Sequence, residues 1–297
     1  DYHALMSEYE HPEHIAESID DNVLDWLAAG IDPERSVIFR QSDVPEHAEL
    51  YVVLSILTPL GWVERVPTYK EQLRELEGRD LTTHGFLGYP ILQTGDILLY
   101  RAHVVPVGED QLPHLELARE IVRRFHALYH CEMFPEPQAL LTTAPKLLGT
   151  DGRKMSKSYG NTVNLSDSPE RIRKRAQTMF TDPLRIKMTD LGHPETCNVC
   201  NYWTVFAPDR AEAAWEGCRT AKRGCVQNKQ ELAEVLIRLT EPFRAARQRL
   251  EPSRKTDVKD ILARGAARAR DVAKRTMADV KRTIGLASVA TSTDVAK

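Results

Sequence analysis

The sequence predicts an α/β fold, with a mostly parallel sheet alternating with helices in the first half and a predominantly helical second half. Two observations carry this. Short β-rich runs such as Val37-Ile38-Phe39 alternate with segments whose apolar residues recur at helical spacing, and that alternation favours a parallel sheet binding ligands at its strand ends. From Ser166 onward helical spacing takes over. A chain of 297 residues, 42% hydrophobic and 28% charged, is long enough for one large or two smaller domains with ample core. No apolar run approaches a membrane span and no secretory leader is visible. A cytoplasmic location is expected.

Taken in order, Ile15, Ile19, Val23, Trp26 and Leu27 share a helical face before Gly30, and after Pro45 a second helix carries Leu50, Val53, Leu54 and Leu57. Leu115, Ile121, Val122, Phe125 and Leu128 form the apolar stripe of a third, which follows the turn Gly108-Glu109-Asp110-Gln111. In the second half Ile172, Ala176 and Met179 come first, then Leu232, Val235, Leu236 and Leu239. A long basic helical segment runs from Thr256 to Ile284, and the small, polar tail after Gly285 is expected to fray. The net charge is −3, yet Glu241 to Gly285 holds thirteen basic residues against six acidic ones. Overall charge therefore says nothing against a nucleic-acid partner.

The densest chemical signal is Gly152-Arg153-Lys154-Met155-Ser156-Lys157-Ser158-Tyr159-Gly160-Asn161. Lysine is a compact, mobile point charge suited to a phosphate tail whose geometry changes during reaction, and Gly152 and Gly160 permit loop conformations closed to other residues. A bare K-x-x-K is more often a solvated turn. The full string resembles the KMSKS loop of class I aminoacyl-tRNA synthetases. Upstream, Gly88-Tyr89-Pro90-Ile91-Leu92-Gln93-Thr94-Gly95-Asp96-Ile97-Leu98-Leu99-Tyr100 and Val105-Pro106-Val107-Gly108-Glu109-Asp110-Gln111 resemble the amino-acid pocket and ATP-proximal turn of bacterial tryptophanyl-tRNA synthetases, and Asp1-Tyr2-His3-Ala4-Leu5 resembles the strand end lining that pocket.

That resemblance implies a Rossmann-like catalytic domain over residues 1–165, including the loop 152–161, and a helical anticodon-binding domain over 166–297. The HIGH-type sequence of such enzymes is not found, and His11-Pro12-Glu13-His14 is a superficial echo. Asp1 matches the end of the second strand of the nucleotide fold, so a preceding segment of roughly 30 to 40 residues, about one βα unit, is expected. By the same resemblance Asp96 accepts a hydrogen bond from an indole N–H, while Tyr89, Gln93, Gln111 and His3 line and position the amino acid. Gly108, Asp110, Lys154, Met155, Ser156, Lys157 and Ser158 would meet ATP, with Mg²⁺, and Lys154 and Lys157 would be the catalytic pair. Lys70 reads first as a helix-surface lysine, with approach to the phosphates as the alternative. The implied partners are tRNA(Trp), tryptophan and ATP, in a homodimer with no membrane association.

Five cysteines in a chain of this kind argue against a disulfide framework. Cys197-Asn198-Val199-Cys200 is a CxxC, followed by Cys218 and Cys225. Four thiolates can enclose zinc or hold an iron–sulfur cluster, and ordinary reduced thiols are the third reading. Some tryptophanyl-tRNA synthetases carry a [4Fe–4S] cluster here, and three ligand segments resemble theirs. The fourth departs: Asn228 stands where that pattern has cysteine, and Cys200 is additional. Cys131 lies apart.

Two other functions stay open at this point. Tyr-x-x-x-Gln-x-x-Asp also resembles the tyrosine pocket of tyrosyl-tRNA synthetases, and Gln93 stands where many tryptophanyl enzymes have methionine. A catalytically silent relative that keeps the tRNA-binding helices is the other, and the intact Lys154–Ser158 string speaks against it.

Overall fold

A computed structural model describes residues 1–67, 69, 81–141, 147–155 and 159–286, and of 253–255 the backbone alone. By contacts the chain divides into two units, one of residues 1–23, 31–142 and 253–297, the other of 24–30 and 143–252. The expected functional boundary at 165 is a different division.

In the first unit, α1 (Tyr2–Glu8) is capped by Asp1 and α2 (Ile15–Ala28) begins the chain's passage to the second. Then come α3 (Glu46–Leu57), α4 (Leu60–Glu64), α5 (His84–Leu98), β1 (Val104–Val107), α6 (Leu112–Tyr129) and β2 (Gln138–Leu141). The strands pair in parallel, Val104 opposite Gln138 through Val107 opposite Leu141. Parallel neighbours need a crossover, and α6 supplies it. Its stripe holds: Leu115, Ile121, Val122 and Phe125 are fully buried, while Leu128, at the last turn, is 49% exposed. Among the described residues the sheet has these two strands.

Val37-Ile38-Phe39 is not a strand. Among the described residues the segment joins no ladder; packing holds it instead. Ile38 is buried, and α11 (Arg254–Thr283) lies so close that a Cβ on Gly265 would sit 1.7 Å from the Ile38 carbonyl oxygen. Ala269, Ala273, Met277 and Val280 of α11 join the first unit's core. Its basic face is partly neutralised at home, with Lys281 on Glu49 at 2.6 Å and Arg270 on Glu46 at 3.4 Å. The expected basic helix exists, but several of its charges already have acidic partners.

The second unit is helical: α7 (Pro169–Gln177), α8 (Asn198–Phe206), α9 (Pro208–Arg219) and α10 (Cys225–Leu250). Ile172, Val199, Trp203, Ala214 and Leu232 are fully buried in one core. Leu239, expected on the apolar face, is 52% exposed, as is Trp26 at 46%. Helical spacing names a face; only the neighbouring elements decide how far along that face burial extends.

Candidate active site

Tyr89, Gln93 and Asp96 lie four and three residues apart on α5, hence on one face of that helix. Thr83 caps its start, accepting from the Phe86 N–H at 3.2 Å. Asp96 is therefore in the last turn, not at an N-cap. The opposite requirement on α5 is close approach to α3. A Cβ on Gly88 would sit 2.3 Å from the Tyr51 hydroxyl, and one on Gly95 would meet Tyr51 and His47 backbone at 3.7 and 3.8 Å. Gly88 gives the Tyr51 ring its seat against α5, whereas a Cβ on Gly95 would make only ordinary van der Waals contact with α3.

The carboxylate of Asp96 gathers three donors from three elements: His3 Nε2 at 2.9 Å from α1, Gln41 Nε2 at 2.7 Å from the turn Gln41–Asp43, and His47 Nδ1 at 2.6 Å from α3. His47 is 2% exposed. Its other nitrogen meets the Tyr100 hydroxyl at 2.8 Å, and Phe39 packs against both rings. Burial pushes the Asp96 pKa up, but hydrogen bonds from His3 and His47 outweigh it and hold the carboxyl below its usual range. Burial keeps the Tyr100 phenol protonated.

The rest of the expected pocket forms two hydrogen-bonded sets. Tyr89 O–H lies 3.3 Å from His114 Nε2, Gln93 Nε2 donates to Gln111 Oε1 at 3.2 Å, and Gln111 Nε2 donates to Asp110 at 3.0 Å. Asp110 and Gln111 stand in the turn that follows the C-terminal end of β1, where α/β folds place ligands. Gly108 caps that turn in extended conformation. His114 is 2% exposed and burial holds its imidazole down at about 4, hence neutral. Gln41, His47, Tyr100 and His114 were missed from the sequence. Gln41 and His47 sit among polar neighbours, Arg40, Ser42, Asp43, Glu46 and Glu49, which mask them locally, and their partners lie far along the chain.

A separate apolar cavity of about 500 Å³ lies between α1, α3 and α5, lined by Leu5, Met6, Tyr51 and Leu92 among others. None of the expected pocket residues lines it.

In the second unit the base of the lysine loop is tied by main-chain bonds. Leu148 and Lys154 form an antiparallel bridge, Gly149 N–H donates to Arg153 at 2.7 Å and Thr150 N–H to Asn161 at 2.8 Å. Asn161, 3% exposed, donates to the Asp151 carboxylate at 2.8 Å and to the Lys154 carbonyl at 3.0 Å. The Asn161 bond is the chief cause that pulls Asp151 down to about 2. Gly152 and Gly160 have φ of +80° and +61°, as their placement in the string requires. Met155 packs against the unit's apolar core. Ser156, Lys157, Ser158 and Lys70 lie outside the described residues.

Cys197, Cys200 and Cys218 are buried and Cys225 is half-buried. A hydrogen bond with Cys200 lowers the Cys197 thiol pKa, and burial raises that of Cys218. Arg185, 9% exposed, reaches Cys218 Sγ at 3.6 Å and the Arg223 carbonyl at 3.0 Å. Asn228 accepts from the Trp203 indole at 2.8 Å and turns its amide toward Cys200 Sγ at 4.0 Å. Among the described residues no group of three or more His, Cys, Asp or Glu side chains converges as a metal site.

The family model for class I tRNA synthetases of the W and Y group matches residues 1–241. A tryptophan–tRNA ligase of Thermotoga maritima is 47% identical over 293 residues, 96% of this chain and 87% of the relative. The chain belongs to that family. A tryptophan–tRNA ligase of Ralstonia nicotianae is 39% identical, covering 96% of this chain and 89% of its own. A tryptophanyl-tRNA synthetase from Campylobacter jejuni, solved with ADP and tryptophan, aligns with a TM-score of 0.81 at 32% identity, over 96% of this chain and 88% of that one. The fold class is thereby that of a class I synthetase, and this synthetase is an aminoacyl-tRNA ligase. Among the described residues no helix is long and apolar enough to cross a membrane.

Proposed function

We propose that this synthetase activates L-tryptophan with ATP and passes it to tRNA(Trp). The observation that carries this reading is the Asp96 carboxylate, ionised, donor-supported and on the same helical face as Tyr89 and Gln93. A site built around an acceptor discriminates by roughly four to five orders of magnitude against a substrate that leaves it unpaired, which favours tryptophan over phenylalanine. Tyr89, Gln93, Gln111 and His3 position the amino acid, and Gly108 and Asp110 flank ATP.

In the reaction the amino-acid carboxylate oxygen attacks the α-phosphorus of ATP, which enters as its Mg²⁺ complex. The bond to the β-phosphate bridging oxygen breaks and pyrophosphate leaves with its electron pair. Lys154 and Lys157, with Met155, Ser156 and Ser158 framing them, stabilise the charge on the departing pyrophosphate. A ribose hydroxyl at the tRNA 3′ end then attacks the acyl carbon, releasing AMP, and the proton of that hydroxyl leaves with the products. The functional division places residues 1–165 in catalysis and 166–297 in tRNA binding, in a cytoplasmic homodimer. ATP–pyrophosphate exchange tests the assignment: tryptophan should support it and tyrosine should not, and faster exchange with tyrosine would favour the tyrosyl reading.

The four thiols support a second proposal, that Cys197, Cys200, Cys218 and Cys225 hold a [4Fe–4S] cluster, or failing that Zn²⁺. Soft donors and the buried Arg185 cation beside Cys218 suit an anionic thiolate centre, whereas among the described residues no group of three or more ligand side chains converges as a metal site. Such a centre would pin loops of the helical unit, and no step of the reaction runs through it. Of the basic residues near it, Arg219 pairs with Glu195 at 2.8 Å and Arg223 with Glu231, so tRNA phosphate would have to compete for them. Anaerobically purified protein should contain about four irons per chain, lost in Cys225→Ser. Metal-free protein that charges tRNA normally would sink the proposal.

A further inference from the structure

The two oxygens of Asp96 are not equivalent. Oδ1 accepts from Gln41 Nε2 at 2.7 Å and from His47 Nδ1 at 2.6 Å, whereas Oδ2 meets His3 Nε2 at 2.9 Å. A carboxylate oxygen accepts about two well-directed hydrogen bonds, so Oδ1 is saturated. Oδ2 keeps one direction for an incoming donor.

The protons on these partners follow from the acceptor. An ionised carboxylate cannot donate, so the hydrogen of His47 sits on Nδ1, and Nε2 then accepts from the Tyr100 O–H at 2.8 Å. The Gln41 amide is oriented for the same reason, with nitrogen toward Asp96. That orientation leaves its Oε1 buried with no partner among the described residues, an arrangement that costs stability. Gln41 is thus placed for Asp96 at the expense of its own acceptor.

We propose that Gln41 and His47 set amino-acid specificity as positioning residues: by saturating Oδ1 from two different elements they aim Oδ2 of Asp96 at the substrate N–H. The inference rests on the reading of Asp96 as the indole acceptor. A carboxylate held by one partner can turn about its last bond and greet water or another substrate group, while one held by donors from the Gln41–Asp43 turn and from α3 cannot. Preorganisation of this kind converts a polar group into a selective one.

The test compares tryptophan with 3-benzothienyl-L-alanine, whose sulfur replaces the indole N–H, in ATP–pyrophosphate exchange. His47→Leu and Gln41→Leu should each raise KM for tryptophan about tenfold, the scale of a weakened hydrogen bond to a charged group, with kcat nearly unchanged. KM for the sulfur analogue should stay where it is, so the preference for tryptophan falls about tenfold. His47→Asn, whose amide nitrogen takes the place of Nδ1, should restore most of it. Equal increases for both substrates would mean a merely structural role and overturn the proposal. Should the buried His47→Leu fail to fold, Gln41→Leu, in a half-buried turn, carries the same expectation. Asp96→Ala separates the two levels: an unchanged preference would remove the acceptor reading itself. A preference that collapses in Asp96→Ala but survives in Gln41→Leu and His47→Asn alike with His47→Leu would overturn the positioning role alone.

Discussion

The pocket around Asp96 and the base of the lysine loop are both polar, but they are held in opposite ways. Around Asp96, side chains from α1, the Gln41–Asp43 turn and α3 converge on one carboxylate, and one of them, His47, is buried. At the loop base the bonds are mostly main-chain, between residues close in sequence, with glycines at positive φ where the chain turns. Recognition of an N–H requires an acceptor fixed in direction, since a misaligned hydrogen bond is worth little. Charge stabilisation tolerates more, because a point charge acts over distance and lysine has a long stem. The molecule spends its long-range contacts where direction matters.

The sharpest way to break this comparison is at Lys157. Lys157→Ala should lower the rate of adenylate formation by about two to three orders of magnitude, the scale of losing one preorganised donor, while tryptophan affinity barely changes. Weaker tryptophan binding at an unchanged rate would assign the loop to recognition instead. Asp96→Asn should act in the other sense. The amide can still reach His3 but loses its charge, and kcat/KM for tryptophan should drop about tenfold to a hundredfold, through KM, in steady-state exchange assays.

Smaller effects test how each region is built. Asn161→Ala removes bonds to Asp151 and to the Lys154 carbonyl, and urea unfolding should show a loss of about 1–3 kcal/mol. His114 probes the pocket by pH. Its folded pKa, about 4, lies below the ordinary 6.5 because burial disfavours the cation, so between those values the unfolded chain binds the extra proton. Its contribution is complete above pH 6.5 and is lost as pH falls toward 4, a drop of about 3 kcal/mol that His114→Phe should lack. Gly160→Ala is the mildest: space is open around it, and the strain of a left-handed conformation costs about 1 kcal/mol.

Much of this was legible in the residues alone. The faces of α3 and α6, the basic helix α11 and the turn at 108–111 are local, because helical spacing and turn chemistry act over a few residues. The lysine string announced itself for the same reason. Two segments show the limit: Asp1-Tyr2-His3-Ala4-Leu5, expected as a strand end, caps and begins α1, and Val37-Ile38-Phe39 favours a strand by composition, but a strand exists only where a neighbour offers a ladder, and here α11 packs on it instead.

The sequence by itself determined which side chains bear the chemistry, namely an acid at 96 with Tyr89 and Gln93 on its helical face and lysines between two glycines. Tertiary structure alone decided what holds that acid. His3, Gln41 and His47 stand 93, 55 and 49 residues from Asp96 along the chain, and no local pattern relates positions so far apart. Their meeting follows from how α1, the Gln41–Asp43 turn and α3 pack around α5, which only the folded chain reveals.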